Sequence, residues 1–397
     1  MSLNQTVSGE RLHIGFFGKR NAGKSSLVNA VTGQELSVVS DVAGTTTDPV
    51  KKAMELFPIG PVLITDTAGF DDIGALGEKR VEKTERILAS TDLAVLAVDG
   101  VTGFSPEDEQ MLEKIKKRGI KHIIVYTKAD LGAPRITHAG ISVSSESGEN
   151  IEKLKTLLGS LCAQKTERFI LRDLVEKGDT VLLVIPVDES APKGRLILPQ
   201  QQTIRELLDL HCIPLCCQPE EVKHVLSVLS APPKLVITDS QAFGRVSKDL
   251  PEEIMLTSFS ILFARYKGDL TTLVKGAAML GALKDGDNVL IAEGCTHHRQ
   301  CGDIGSVKMP KWIEGYTGVK PNYTFSSGND FPSDLSEFSL VIHCGGCMLN
   351  ETEMAHRLSV AREQGIPMVN YGVAIACMHG ILKRSLQPFP TVAELLK

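Results

Sequence analysis

Gly18-Lys19-Arg20-Asn21-Ala22-Gly23-Lys24-Ser25 sets two glycines around four residues, with a lysine and a serine directly behind the second. Residue types at this spacing can cradle phosphate. The glycines let successive backbone N–H groups curl around the oxygens, and the start of a following helix adds partial positive charge. Lys24 would reach the terminal phosphates and Ser25 would offer its hydroxyl to Mg2+, with Gly18, Asn21, Ala22, Gly23 and Ser26 lining the cradle. Further along, Asp66-Thr67-Ala68-Gly69 supplies a carboxylate that can hold Mg2+ through water and an N–H, that of Gly69, that can meet the terminal phosphate. Between these runs, Thr45 and Thr46 of Gly44-Thr45-Thr46-Thr47-Asp48 stand where a switch loop would present a hydroxyl to the metal. Lys24, Thr46, Asp66 and Gly69 are the expected catalytic set.

Thr127-Lys128-Ala129-Asp130 completes a base-reading element. The Asp130 carboxylate can accept two hydrogen bonds from a guanine edge, a donor pair adenine lacks, while the Lys128 stem covers the base. Ser144 and Ser145 would close the pocket. In this order the runs describe a GTP/GDP site with Mg2+.

A second constellation lies far from the first. Cys295-Thr296-His297 is followed, after 45 intervening residues, by His343-Cys344-Gly345-Gly346-Cys347. Two glycines between Cys344 and Cys347 let both sulfurs face one centre. Three thiolates with a histidine satisfy a tetrahedral zinc; three thiolates with an exchangeable fourth position suit an iron-sulfur cluster. His297 is a candidate fourth ligand, and His298 competes with it. Of the other six cysteines, Cys301 is nearest the constellation, while Cys162, Cys212, Cys216, Cys217 and Cys377 are expected to pack in cores.

Three blocks must position these residues. Over 12–165, apolar strands at 14–17, 61–65, 93–98 and 122–126 alternate with helical patterns, the rhythm of a mostly parallel sheet wrapped by helices. A charged stretch at 165–177 leads to apolar runs at 180–187 and 234–238, separated by helical patterns at 201–210 and 220–229. This small block carries no polar constellation and is expected to be an assembly surface that makes a homodimer. The third block offers a strand at 256–263, a helix at 270–283, strands at 288–292, 338–343 and 367–369 and a helix at 351–364, with a long excursion at 301–337 as a flap. The expected fold class is thus α/β in three domains: a P-loop nucleotide domain over 1–165, a small dimerisation domain over 166–254 and a domain over 255–397 that carries the cysteine site, zinc or iron-sulfur.

The totals limit the partners. The chain is 42% hydrophobic and 23% charged with a net charge of -5, and residues 265–397 balance 13 basic against 13 acidic side chains. No basic field advertises nucleic acid. The first ten residues lack a signal-peptide pattern, and no run approaches the ~18 apolar residues of a spanning helix, so no membrane partner and a cytoplasmic location are expected. In that reducing compartment nine cysteines are thiols or metal ligands rather than disulfides.

Asn21-Ala22-Gly23-Lys24-Ser25-Ser26-Leu27 followed by Ala43-Gly44-Thr45-Thr46 resembles the GTPase branch that includes MnmE and Era. The resemblance implies that Asn21 marks a K+-activated member and that Phe70, standing where Ras-like proteins place a catalytic glutamine, leaves intrinsic GTP hydrolysis slow. Thr127 departs from that branch's asparagine, which implies a looser base pocket. The whole chain, through the joint motif Cys-x-His and His-Cys-x-x-Cys, is similar to the HydF family of [FeFe]-hydrogenase maturation GTPases. That similarity implies a [4Fe-4S] cluster on Cys295, Cys344 and Cys347, and a scaffold that receives a transient di-iron precursor from the HydE and HydG maturases and delivers it to apo-[FeFe]-hydrogenase. The alternative is an RNA- or ribosome-directed Era/MnmE-like GTPase with a structural zinc site.

Overall fold

The computed structural model describes residues 8–34, 50–57, 59–67, 69, 83–162, 168–187, 194, 196–294, 303–328, 330–346 and 348–396. They fall into two compact units, Met1–Thr166 with Met348–Glu353, and Glu167–Cys347 with Met354–Lys397.

The first unit is a six-stranded sheet. Its elements are β1 (Leu12–Phe17), α1 (Lys24–Thr32), β2 (Val50–Leu56), β3 (Gly60–Asp66), α2 (83–89), β4 (Leu93–Asp99), α3 (Pro106–Lys117), β5 (Lys121–Thr127), β6 (Ile141–Ser142) and α4 (Ile151–Cys162). The strand order is β2-β3-β1-β4-β5-β6. Every pairing is parallel except β2 with β3. β4 shows why both faces need cover: Leu93, Val95 and Ala97 join one apolar cluster, with Leu27, Val28, Leu154 and Leu158 from α1 and α4. Ala94, Leu96 and Val98 join the other, with Leu88 from α2 and Met111, Leu112 and Ile115 from α3. A strand buried on both sides reads as a continuous apolar run, as Leu93–Asp99 does. The register pairs Phe16 with Asp66, bringing the glycine-rich run and the Asp66 carboxylate to one end of the sheet.

The second unit holds two four-stranded parallel sheets. The first combines β7 (Thr180–Val184), α5 (Leu198–Asp209), β8 (Ile213–Cys217), α6 (Val222–Val228), β9 (Leu235–Thr238), α7 (Phe243–Asp249) and β10 (Leu256–Ser258), in strand order β10-β9-β7-β8. After α8 (Phe259–Lys267) and α9 (Leu270–Ala278), the second sheet has order β12-β11-β13-β14. It is built from β11 (Asn288–Glu293), α10 (Met309–Thr317), β12 (Asn322–Ser327), β13 (Leu340–His343), α11 (Glu351–Glu363, of which this unit holds Met354 onward), β14 (Met368–Asn370) and α12 (Tyr371–Met378).

Two expectations are corrected here. The strand expected at 256–263 stops at Ser258 and pairs with β9, so it belongs to the earlier sheet. Ser258 then caps α8, its hydroxyl accepting from the Ile261 N–H at 3.2 Å, and the apolar run continues as helix. The excursion at 301–337 is not one irregular flap: it contains α10 and the edge strand β12, which pairs with β11 along its whole length. Among the described residues no helix is long and apolar enough to cross a membrane.

Gly276 lets α9 lie directly on β14, because a Cβ there would run into the Met368 carbonyl. Gly276→Ala should therefore destabilise the second unit by about 1–3 kcal/mol, the usual range for overpacking. A fall in the urea midpoint at unchanged m-value checks it.

Candidate functional site: a phosphate cradle and a thiolate turn

The loop after β1 is shaped by close approach. A Cβ at Gly18 would run into the Ala97 carbonyl on β4. Asn21 and Gly23 sit in the left-handed region at φ 58° and 77°, a conformation asparagine and glycine tolerate best. Gly23 caps α1 without a side-chain hydrogen bond, so the first helical N–H groups keep their donors for an anion. Lys24 is buried at 7% exposure, and its Nζ donates to the Lys19 carbonyl at 2.7 Å, which folds the ammonium over the cradle.

The hydroxyl of Ser25 donates to Asp66 Oδ2 at 2.8 Å. Asp66 is 2% exposed, and its Oδ1 is buried with no hydrogen-bond partner among the described residues. An orphaned carboxylate oxygen beside a serine hydroxyl is an oxygen donor set of the kind a hard cation takes, and it fits Mg2+. Thr67 anchors the next stretch, its hydroxyl donating to the Phe16 carbonyl at 2.7 Å. Thr45, Thr46, Ala68 and Phe70 lie outside the described residues, while Gly69 is described and half-buried.

At the base-reading end the structure revises one expectation. Thr127 is 2% exposed, and its hydroxyl lies 2.8 Å from the Ala22 carbonyl of the cradle and 3.1 Å from the Val98 carbonyl of β4. The threonine therefore ties β5 to the phosphate loop rather than loosening the pocket. Lys128 takes φ 60° and its Nζ pairs with Asp99 Oδ2 at 2.6 Å. Burial alone would raise the Asp99 carboxyl, but hydrogen bonds from Lys128 and from the Thr102 and Val101 amides hold it below the usual range. Asp130 receives the Ser144 hydroxyl on Oδ1 at 2.6 Å, and Ser144 itself is fully buried and accepts from the Ser147 N–H. Ser144 thus acts as a positioning residue that orients the Asp130 carboxylate.

The second constellation is built on the register of β11 against β13, which sets Ala292 opposite His343. Cys344 N–H donates to the Ala292 carbonyl at 2.8 Å, and Cys344 Sγ accepts from the N–H of Gly294 at 3.0 Å and of Gly346 at 3.4 Å. Gly294 and Gly346 are the residues that precede Cys295 and Cys347 in sequence. Backbone N–H donors on a sulfur favour its thiolate, the form that binds metal. Cys295, His297, His298, Cys301 and Cys347 lie outside the described residues. Among the described residues no three His, Cys, Asp or Glu side chains gather as a metal centre.

His343 is not free to bind a metal through either nitrogen as arranged. It is fully buried; Nε2 lies 2.9 Å from Arg357 Nη1 and Nδ1 lies 2.7 Å from the Cys344 carbonyl. A guanidinium only donates, so Nε2 accepts and Nδ1 carries the proton. Burial first, and the Arg357 charge second, push the ring down to about 3, leaving it neutral. Arg357 is itself fully buried, donates to the Gly328 carbonyl at 2.6 Å and stacks 5.0 Å from the Phe331 ring centroid. Sequence reading missed Arg357 and Lys267, whose Nζ donates to the Gly346 carbonyl at 3.3 Å; it named Ser144 for the base pocket without its hold on Asp130. The available signal was an arginine between Met354 and Ala361 on the apolar stripe of α11, and a lysine four residues after Phe263 on that of α8. Tyr371 donates to Glu293 Oε1 at 3.1 Å, and burial, then that carboxylate and Cys344, raise its phenol.

The expected core cysteines divide. Cys212 and Cys217 are buried, Cys162 and Cys377 half-buried, and Cys216 is exposed because β8 alternates its faces.

A phosphate cradle, a magnesium-type carboxylate and a guanine-type aspartate on a mostly parallel sheet define the first unit as a P-loop GTPase domain. Residues 13–128 match the family described as 50S ribosome-binding GTPase. Residues 170–268 match the hydrogen maturase F dimerization domain and 271–388 the hydrogen maturase F tetramerization domain, together more than half of the chain. The chain belongs to the hydrogen maturase F family.

Its relatives by sequence share the first unit. The tRNA modification GTPase MnmE of Synechococcus sp. (strain RCC307) is 34% identical over 160 residues, 39% of this chain and 34% of that protein. GTPase Der of Wolinella succinogenes is 35% identical over 162 residues, 36% of this chain and 34% of that protein. The chain spans about a third of the length of these curated relatives. Among solved structures, Era in complex with MgGDPNP and nucleotides 1506-1542 of 16S ribosomal RNA aligns at 17% identity and a TM-score of 0.34, covering 80% of this chain and 93% of that one.

Asp130→Asn removes one of two acceptors and adds a donor. GTP binding should weaken by roughly 10- to 100-fold, from about 1–3 kcal/mol of unpaired base donors, while xanthosine triphosphate gains. Parallel titrations with both nucleotides check it.

Proposed function

We propose that the chain is a GTP-driven maturation factor for [FeFe]-hydrogenase. It binds GTP and hydrolyses it slowly, carries a [4Fe-4S] cluster, and passes a di-iron precursor built with HydE and HydG to the apo-hydrogenase. The observation that supports this most is the meeting of the Gly294 and Gly346 N–H groups on Cys344 Sγ. Those two glycines precede the remaining two motif cysteines.

In the first unit Lys24 neutralises the terminal phosphates, Ser25 and Asp66 hold Mg2+ with Thr46, and Thr45 and Gly69 follow the terminal phosphate. Mg2+ held by Ser25 and Asp66 would supply stabilisation of phosphate charge. Gly18, Ala22, Gly23 and Ser26 line the cradle, and Asn21 serves K+. Asp130 selects guanine, with Thr127, Lys128, Ser144 and Ser145 around the base. In the second unit Cys295, Cys344 and Cys347 hold the cluster, with His297 as candidate fourth ligand. The second unit makes the homodimer, consistent with family domains described by dimerization and tetramerization. GTP and GDP then act as a timer, since only a ligand with unequal affinity for two conformations shifts partner binding.

Anaerobic reconstitution of the wild type should give brown protein with iron, sulfide and a reduced-cluster EPR signal. Cys344→Ala should lose most of the iron and the signal at unchanged GTP affinity. Colourless wild type holding one zinc per chain would instead support the RNA-directed GTPase.

A further inference from the structure

The loop after β4 is wrapped onto the base-reading turn. Asp99 ends β4 opposite Thr127 in the register with β5. The Gly100 N–H donates to the Thr127 carbonyl at 3.0 Å, and a Cβ at Gly100 would run into that oxygen. Asp99 Oδ1 accepts from the N–H groups of Val101 at 2.9 Å and Thr102 at 3.2 Å, which aims Oδ2 at Lys128 Nζ, 2.6 Å away. Lys128 takes φ 60°, an uncommon conformation for a residue with a side chain. Its backbone and the far end of its side chain are thus both fixed, and a long apolar stem runs between them. With 31% and 20% of the two side chains exposed, the Coulomb energy of the pair is small. What the pair holds is a shape.

Thr127 keeps its hydroxyl proton from the base, since that proton lies between the Ala22 and Val98 carbonyls. The Asp130 carboxylate is left to read the guanine edge and the Lys128 stem to cover a face. We propose that Asp99 is a positioning residue for guanine-nucleotide affinity, pinning Lys128 Nζ so that the stem stands as a preformed platform for the purine. The proposal rests on the assignment of Lys128 and Asp130 to the base made above. Ordering a long side chain at the moment of binding weakens affinity by about two- to tenfold, and Asp99 orders this one beforehand.

The test is a set of binding titrations on the full-length chain with GTP, GDP and inorganic triphosphate, which meets the cradle and has no base. Asp99→Asn keeps an oxygen for the Val101 and Thr102 N–H groups and loses the charge that holds Lys128. It should weaken GTP and GDP alike, by about two- to tenfold, and leave inorganic triphosphate unchanged. Lys128→Met, which lacks the ammonium, should weaken both nucleotides as well, and the double variant should bind no more weakly than Lys128→Met alone. Wild-type affinity for GTP and GDP in either single variant would overturn the proposal. So would additive losses in the double variant, or an equal loss for inorganic triphosphate, since the pair would then brace the phosphate cradle and not the base. A wild type that binds ATP as tightly as GTP overturns the base reading itself, and that result is distinct because it appears before any variant is compared.

Discussion

Backbone N–H groups at the carboxyl ends of parallel strands are the interaction on which both sites depend. Inside a sheet these donors are spent on the ladder; just past the last paired residue they must find another acceptor. In the first unit the strand leads into Gly18–Gly23 and α1, and the donors are left for phosphate. In the second unit the chain past Ala292 and His343 gives two of them to a single sulfur. Register makes this unforgiving. Because side chains alternate at every residue, a one-residue slip of β13 against β11 would turn Cys344 away from the Gly294 N–H and expose His343 in its place.

The nucleotide end shows how such an edge is kept from collapsing on itself. Four strands end within reach of one ligand, and their polar ends could satisfy one another instead. Ser25 takes one Asp66 oxygen and leaves the other bare. Ser144 takes one Asp130 oxygen. Thr127 spends its hydroxyl on carbonyls of the cradle and of β4, so it stiffens the pocket without competing for the base. The hydroxyls of Ser25 and Ser144 each fix one oxygen of a carboxylate and leave the other oxygen to a different partner. Fixing these rotamers before binding lowers the entropic cost of closing on the ligand.

The motif residues were legible because their chemistry requires particular types at particular spacings: Gly18 to Ser25, Asp66, Asp130 and Cys344 could be read directly. The mostly parallel first sheet was legible because doubly buried strands leave continuous apolar runs. What escaped was of another kind. The run Phe259–Ala264 is apolar almost throughout, so its period says neither strand nor helix, and only the Ser258 cap decides. The edge strand β12 carries Asn322, Tyr323 and Thr324 with little apolar alternation, because one side of it lacks a neighbour. Arg357 and Lys267 read as ordinary surface charges in a helix, since a sequence shows their charge and hides their burial.

His343 joins these threads. By position beside Cys344 it invites assignment as a metal ligand, yet its two nitrogens are already committed, one to a guanidinium and one to the neighbouring carbonyl. The commitment fixes its tautomer, and a fixed tautomer in turn fixes the Cys344 carbonyl and the direction of the turn that follows. Arg357 cannot be exchanged for a neutral donor at no cost, because its second nitrogen also holds the Gly328 carbonyl at the end of β12. The imidazole therefore serves as a strut between a buried charge and the thiolate turn. A turn braced in this way presents sulfur rather than nitrogen to whatever it holds. On the maturation reading, that leaves three thiolates for iron and keeps the strand-end histidine from filling the position a transferable ligand needs.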